Sequence, residues 1–163
     1  MLLRPARPED VPQIMALERL PEFREFVGKW PEEQHREAMA GADARYFVAI
    51  DSEAICGFAI LLGIVSGYRS IELKRIVVAT PDRGLGRQIL REIMRIAFDE
   101  LGAHRLWLDV FENNARARHL YESLGFVREG VLREAIYRDE RYDSLILMSL
   151  LDREYAQRSS TLW

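Results

Sequence analysis

The change of hydrophobic period in the middle of this chain limits the fold more than any other feature. From Arg45 to Ala79 the apolar residues alternate or run continuously, as in strands. From Arg87 they recur at helical spacing. The join is the turn-rich segment Thr80-Pro81-Asp82-Arg83-Gly84-Leu85-Gly86. Before it stand three strand-like runs, Arg45 to Asp51, Ile55 to Val65 and Ser70 to Ala79, separated by the turns Asp51-Ser52-Glu53 and Ser66-Gly67-Tyr68. Consecutive strands with short turns read as an antiparallel meander. Alternation in the third run places Ile76 and Val78 on one face and Leu73 and Val77 on the other.

After the join, Ile89, Leu90, Ile93, Met94, Ala97 and Phe98 form the buried stripe of a helix from about Arg87 to Leu101, with Gly102 as its cap. Arg105 to Val110 is a strand, and Asn114 to Leu124 a helix stopped by Gly125. Phe126 to Val131 and Asp143 to Leu150 are strands. Upstream, Leu2 to Pro5 reads as a strand and Pro8 opens a helix to about Leu20. Further helical regions cover Glu22 to Val27 and Pro31 to Ala40, ended by Gly41. The fold class is α/β.

At 163 residues the chain has the length of one domain. A 48% hydrophobic, 30% charged composition excludes disorder. Residues 1–155 are expected to form that domain, and 156–163 a tail, frayed from Gln157. A net charge of −3 argues against a general nucleic-acid binder. The single cysteine, Cys56, offers neither an internal disulfide nor a zinc site, and reads as a small core residue of a protein in a reducing cytoplasm. The longest apolar run, Gly57 to Val65, is nine residues, too short to span a bilayer. No metal is expected.

The glycine loop is the first piece with chemistry in it. A strand ends, two glycines allow close backbone approach, and a helix begins with free N–H groups and the positive end of its dipole facing outward. That geometry binds phosphate. Arg83, Arg87, Arg91 and Arg95 recur every four residues and give the helix a basic ridge starting at the loop. A tight turn and a solvated arginine face are the structural alternatives. The loop is not a Walker loop, since no Gly-Lys-Ser/Thr follows. Nor is it a full GxGxxG, since position 89 is isoleucine.

Downstream stands Asn113-Asn114-Ala115-Arg116-Ala117-Arg118-His119-Leu120-Tyr121-Glu122-Ser123-Leu124-Gly125-Phe126. Together with the loop, this segment resembles the GNAT superfamily of acyl-CoA-dependent N-acyltransferases. The family pattern Asn-x-x-Ala-x-x-Leu-Tyr-x-x-x-Gly-Phe is matched at Asn114, Ala117, Leu120, Tyr121, Gly125 and Phe126. One departure concerns the loop: with Gly84 and Gly86 on the glycine positions, Pro81 stands where the family has Arg or Gln. Arg83 or Arg87 is then expected to supply the missing contact.

The resemblance implies a central mixed, mostly antiparallel twisted sheet with splayed strands, flanked by helices. It implies acetyl-CoA as co-substrate. The backbone of Ile76, Val77 and Val78 would pair with the pantetheine arm. The amides of Arg83, Gly84, Leu85, Gly86 and Arg87 would hold the pyrophosphate. Asn114 would contact the cofactor, and Arg116 or Arg118 would reach its phosphates. The implied reaction is direct attack of an amine on the thioester in a ternary complex. Tyr121, by its match, would lie near the sulfur and protonate the departing thiolate.

Glu72 is the candidate general base, read as sharing a strand face with Ile76 and Val78. Asp109 and Glu112 are alternatives, acting through water. His119 reads as a helix-surface residue, and His35 and His104 have no partner at a telling spacing. In this family the acceptor site comes from the first helices and the last hairpin, here Leu20 to Gly41 and Val131 to Ser144. Glu22, Glu25, Glu32, Glu33 and Glu37 with Trp30 would suit a cationic amine. The acceptor is expected to be a small-molecule or peptide amine, and the protein a monomer or homodimer. A non-catalytic acyl-CoA sensor of the same fold is the alternative.

Overall fold

The computed structural model describes residues 1–81 and 84–158, and the backbone of 159–162. Seven strands form one sheet: β1 (Leu2–Pro5), β2 (Ala44–Asp51), β3 (Ala54–Leu62), β4 (Ser70–Val78), β5 (Arg105–Phe111), β6 (Val127–Arg138) and β7 (Arg141–Leu151). Their order is β1-β2-β3-β4-β5-β7-β6. All neighbours are antiparallel except β4 and β5. That one parallel pair follows from the crossover between them, α3 (Leu85–Arg95), which continues as a π-helical turn over Ile96–Glu100. The other helices are α1 (Val11–Glu18), α2 (Glu32–Ala40), α4 (Ala115–Ser123) and α5 (Asp152–Leu162).

Two apolar cores sandwich the sheet. On one face Ile89, Leu90 and Ile93 of α3 and Tyr121 and Leu124 of α4 and its end pack on Ile71, Leu106, Leu108 and Met148. On the other, Ile14 and Leu17 of α1 pack on Tyr46, Val48, Phe58, Ile60 and Val77. Among the described residues no helix is long and apolar enough to cross a membrane.

The parallel pair is short. Only Ser70, Ile71 and Glu72 pair with Arg105, Leu106 and Trp107. Beyond Glu72 the two strands part, and β4 keeps its partner β3 as far as Val78. The register against β3 steps from Leu61↔Leu73 to Ile60↔Arg75, so Lys74 is an extra residue on β4. Such a bulge bends and twists its strand, here at the point where β4 leaves β5.

Four expectations change here. The bulge shifts the side-chain alternation by one, so Leu73 shares the α3 face with Ile76 and Val78, while Val77 faces the α1 side. The helix expected over Glu22 to Val27 reduces to a 3₁₀ turn at Pro21–Phe23, and the one expected from Pro31 begins at Glu32 with Pro31 as its N-cap. α5 runs on to Leu162, past the Gln157 at which the tail is expected to fray. It is anchored where Tyr155 stacks on Phe98 with ring centroids 4.8 Å apart and Glu154 accepts from the Leu151 amide at 2.9 Å. The last hairpin also extends further than Val131, with β6 running to Arg138.

Candidate active site

The parting of β4 and β5 opens a cleft of about 790 Å³ that reaches both faces of the sheet. One end is built by the strand–loop–helix join. Gly84 is the residue before α3 and has φ +73°, a left-handed conformation that glycine adopts without strain. The first bond closing the helix runs from the Gln88 amide to the Gly84 carbonyl at 3.1 Å. The amides of Leu85, Gly86 and Arg87 therefore have no intrahelical acceptor, and all three residues line the cleft. Thr80, Pro81, Asn114 and Arg116 complete this end.

Arg83 lies outside the described residues. Of the remaining ridge, Arg87 lines the cleft and donates to the Ser123 hydroxyl at 2.7 Å, which ties α3 to α4. Arg95 is taken up by Glu92 at 2.6 Å and Glu100 at 2.7 Å, so the basic ridge does not extend from the loop as a free surface. The Asn114 side chain caps α4, its oxygen accepting from the Ala117 amide at 3.2 Å. Its NH₂ group makes no hydrogen bond among the described residues. Arg118 does not line the cleft.

The middle of the cleft is the open edge of β4. The Ala79 amide donates to Cys56 on β3 at 2.7 Å. By strand alternation the polar groups of Val77 point the same way, and those of Ile76 and Val78 point into the gap left by β5. Ile76 and Val78 line the cleft and Val77 does not. Of the three backbone positions expected to pair with an extended ligand, two are available.

Tyr121 lines the cleft from α4, buried to 7% exposure and packed on Phe126 at 5.8 Å. Its hydroxyl has no hydrogen-bond partner among the described residues. Burial, reinforced by the charge of Asp109, holds the phenol above its ordinary range, so it is protonated throughout the neutral region.

Glu72 is not on the face of Ile76 and Val78, because the Lys74 bulge intervenes, and it does not line the cleft. Its carboxylate accepts from Lys74 Nζ at 3.4 Å, and Lys74 is the residue exposed to the cleft. Burial raises the Glu72 pKa, Lys74 opposes this, and Asp109 adds to it. Asp109 and Glu112 are also absent from the lining. Cys56 is partly buried, donates to the Ala49 carbonyl at 3.4 Å, and is held above the usual thiol range by burial. His119, exposed on α4, borders the cleft.

The other end of the cleft is walled by Phe23, Phe26, Val27 and Trp30 from the α1–α2 connection, and by Ile136, Tyr137 and Arg138 from the tip of the β6–β7 hairpin. Both belong to the segments expected to build the acceptor site. Arg138 joins them: it donates to the Arg24 carbonyl at 3.4 Å and to that of Glu25, and lies 4.7 Å over the Phe111 ring. Glu22 is the only carboxylate in the lining among the described residues.

Beneath this end is a buried polar group that local spacing did not reveal. Arg75 pairs with Glu18 and lies 4.5 Å over Trp30. Glu18 also accepts from His35 Nε2 at 3.1 Å, and His35 Nδ1 meets the Tyr46 hydroxyl at 3.0 Å. Glu18 and His35 are fully buried, so His35 is a partnered core residue. Arg75 and Glu18 are 57 positions apart, and only the fold joins them.

Residues 12–126 match the model of the acetyltransferase (GNAT) family. The spermidine N(1)-acetyltransferase of Vibrio cholerae is 32% identical over 120 residues, which is 72% of this chain and 69% of that protein. The streptothricin acetyltransferase of Streptomyces lavendulae is 35% identical over 131 residues, 75% and 67% of the two chains. The crystal structure of the Vibrio cholerae spermidine N-acetyltransferase in complex with CoA and spermine superposes with a TM-score of 0.85 at 27% identity. It covers 95% of this chain and 97% of that one.

Proposed function

The chain belongs to the GNAT acetyltransferase family, and from that premise we propose that it moves an acetyl group from acetyl-CoA to the primary amine of a small molecule by direct attack within its cleft. One observation carries this reading: three free helix amides, an open strand edge and a buried tyrosine line a single cavity. The first suits a pyrophosphate, the second an amide-bearing arm that adds to the strand, and the third a departing thiolate.

Acetyl-CoA supplies the activated acyl group. The amides of Leu85, Gly86 and Arg87 hold its phosphates, with Arg87, Arg116 and the Asn114 NH₂ at the same end. Ile76 and Val78 fix the arm through N–H and C=O groups that β5 leaves unpaired. Tyr121, kept protonated by burial, donates a hydrogen bond to the charge that develops on sulfur and gives up its proton as the thiol leaves. The incoming amine loses one proton to water in the cleft, which passes it to Glu72 behind Lys74; the raised pKa of Glu72 makes it a better base than an exposed carboxylate. The second amine proton, released as the amide forms, restores Tyr121. Monomer and homodimer both fit this reading. A cytoplasmic location is part of the reading, supported by the cofactor and by the free Cys56.

Calorimetric titration with acetyl-CoA tests it, on the wild type, Gly84→Ala and Gly84→Glu. A Cβ at Gly84 meets nothing within 4 Å among the described residues, so the alanine variant costs mainly backbone strain, about 1–2 kcal/mol. It is expected to bind, while the glutamate variant, which sets an anion at the phosphate cradle, is expected not to. Absence of binding by the folded wild type rejects the reading.

A further inference from the structure

Lys29, Lys74 and the N-terminus are the primary amines of this chain. Among the described residues, Lys74 alone of the three lines the cleft. It is the extra residue of the bulge at which β4 leaves β5, and it is exposed. Its Nζ lies 3.4 Å from a carboxylate oxygen of Glu72. The cleft thus carries an amine and a proton acceptor of its own. Lys29, on the α1–α2 connection, makes no ion pair among the described residues and is absent from the lining.

The place of Lys74 along β4 fits the reach of the cofactor. The arm of acetyl-CoA joins pyrophosphate to sulfur through about a dozen bonds, the span of about four extended residues or ~13 Å. With the phosphates at the start of α3 and the arm laid back along the open edge from Val78, four residues lead to Lys74. The thioester then lies beside the Lys74 amine, in the cleft that Tyr121 also lines.

We propose, on the basis of the transferase reading above, that Lys74 is a self-acetylation site, modified once by bound acetyl-CoA when no other amine occupies the cleft. Glu72 takes one proton from the Lys74 ammonium. The freed lone pair bonds to the acetyl carbon, the carbon–sulfur bond breaks, and the thiolate leaves with the proton of Tyr121. The second proton on nitrogen is lost as the amide forms and restores Tyr121. Holding amine and thioester in one cleft drives the step. Acetylation turns a cation into a neutral amide, so the ion pair with Glu72 is lost.

The test incubates the protein with isotopically labelled acetyl-CoA and no added amine, then locates the label by intact-mass and peptide mass spectrometry. The wild type should gain one acetyl group, on Lys74, at least tenfold faster than on Lys29 or the N-terminus. Lys74→Arg should still bind acetyl-CoA by calorimetry and gain no acetyl group at a comparable rate. Glu72→Gln should acquire the label at least tenfold more slowly. Lys74 left unmodified in wild type that binds acetyl-CoA overturns the proposal. Labelling spread evenly over the three amines, or equally fast at Lys74 in the Gly84→Glu variant, also overturns it, since uncatalysed acetylation then accounts for the result. An unaltered rate in Glu72→Gln overturns the role given to that carboxylate. Failure of the wild type to bind acetyl-CoA at all instead rejects the transferase reading on which the proposal rests.

Discussion

Tyr121 and Glu72 occupy opposite positions with respect to the cleft, and burial acts on both. For Tyr121 it keeps a proton where one is to be donated. Replacing the tyrosine by phenylalanine removes a hydroxyl and leaves the packing on Phe126. Tyr121→Phe should therefore lower kcat by about a hundredfold with little change in acetyl-CoA affinity, read by steady-state kinetics and titration. Unchanged kcat would remove the tyrosine from the chemistry. For Glu72, burial penalises the charged form in the folded state, so the folded protein holds the proton more tightly than the unfolded chain. Stability from this group is complete below the ordinary carboxylate range and declines as pH rises through the folded-state value. Glu72→Gln should then melt higher than the wild type near pH 7 and match it below about pH 4. It should also turn over more slowly at neutral pH, as expected when a strained site group is relaxed. A lower melting temperature near pH 7 would show that Lys74, 3.4 Å away, outweighs the burial.

At the scale of elements, what was legible in the sequence is what local order controls. Gly84, Gly86, Asn114 and Tyr121 sit at fixed offsets from helix starts, so their placement in the cleft follows from short stretches of chain. The bulge at Lys74 is different. One extra residue in a strand is visible only against its partner's register, and it reverses the faces of everything before it, Glu72 included. The Glu18–Arg75 pair is hidden for a related reason: it joins α1 to β4 across the sheet, with His35 of α2 and Tyr46 of β2 completing the group. Burial pushes the Tyr46 phenol up to about 12, consistent with a dry interior. Removing the Glu18 charge leaves the Arg75 guanidinium buried and unpaired. Glu18→Gln should cost about 3–5 kcal/mol by chemical denaturation. The Arg75→Met, Glu18→Leu double variant should recover much of that, because apolar residues of similar volume do not carry the desolvation penalty. A single variant as stable as the wild type would mean that water reaches the pair.

Across the whole molecule, the sheet is two blocks, β1–β4 and β5–β7, whose strands pair with each other only at Ser70–Glu72 and Arg105–Trp107. α3 and α4 bridge the blocks from one face. The α1–α2 connection and the hairpin tip meet over the other through Arg138. A cofactor lying along β4 acts as the missing neighbour of a strand that has lost one, so binding should be felt in backbone protection at alternate positions. Amide exchange separates this from general stiffening. Val77 and Ala79 are directed at β3 and are protected in the free protein, while Ile76 and Val78 face the gap. Addition of acetyl-CoA should slow exchange at Ile76 and Val78 by tenfold or more, and at Val77 and Ala79 only by the global stabilisation that ligation brings, about 2.7 kcal/mol at a hundredfold excess over Kd where exchange requires full unfolding. Equal slowing at all four positions would mean that the ligand stabilises the fold without adding to the strand. No slowing at Ile76 and Val78 in the presence of tight binding would move the pantetheine arm away from β4.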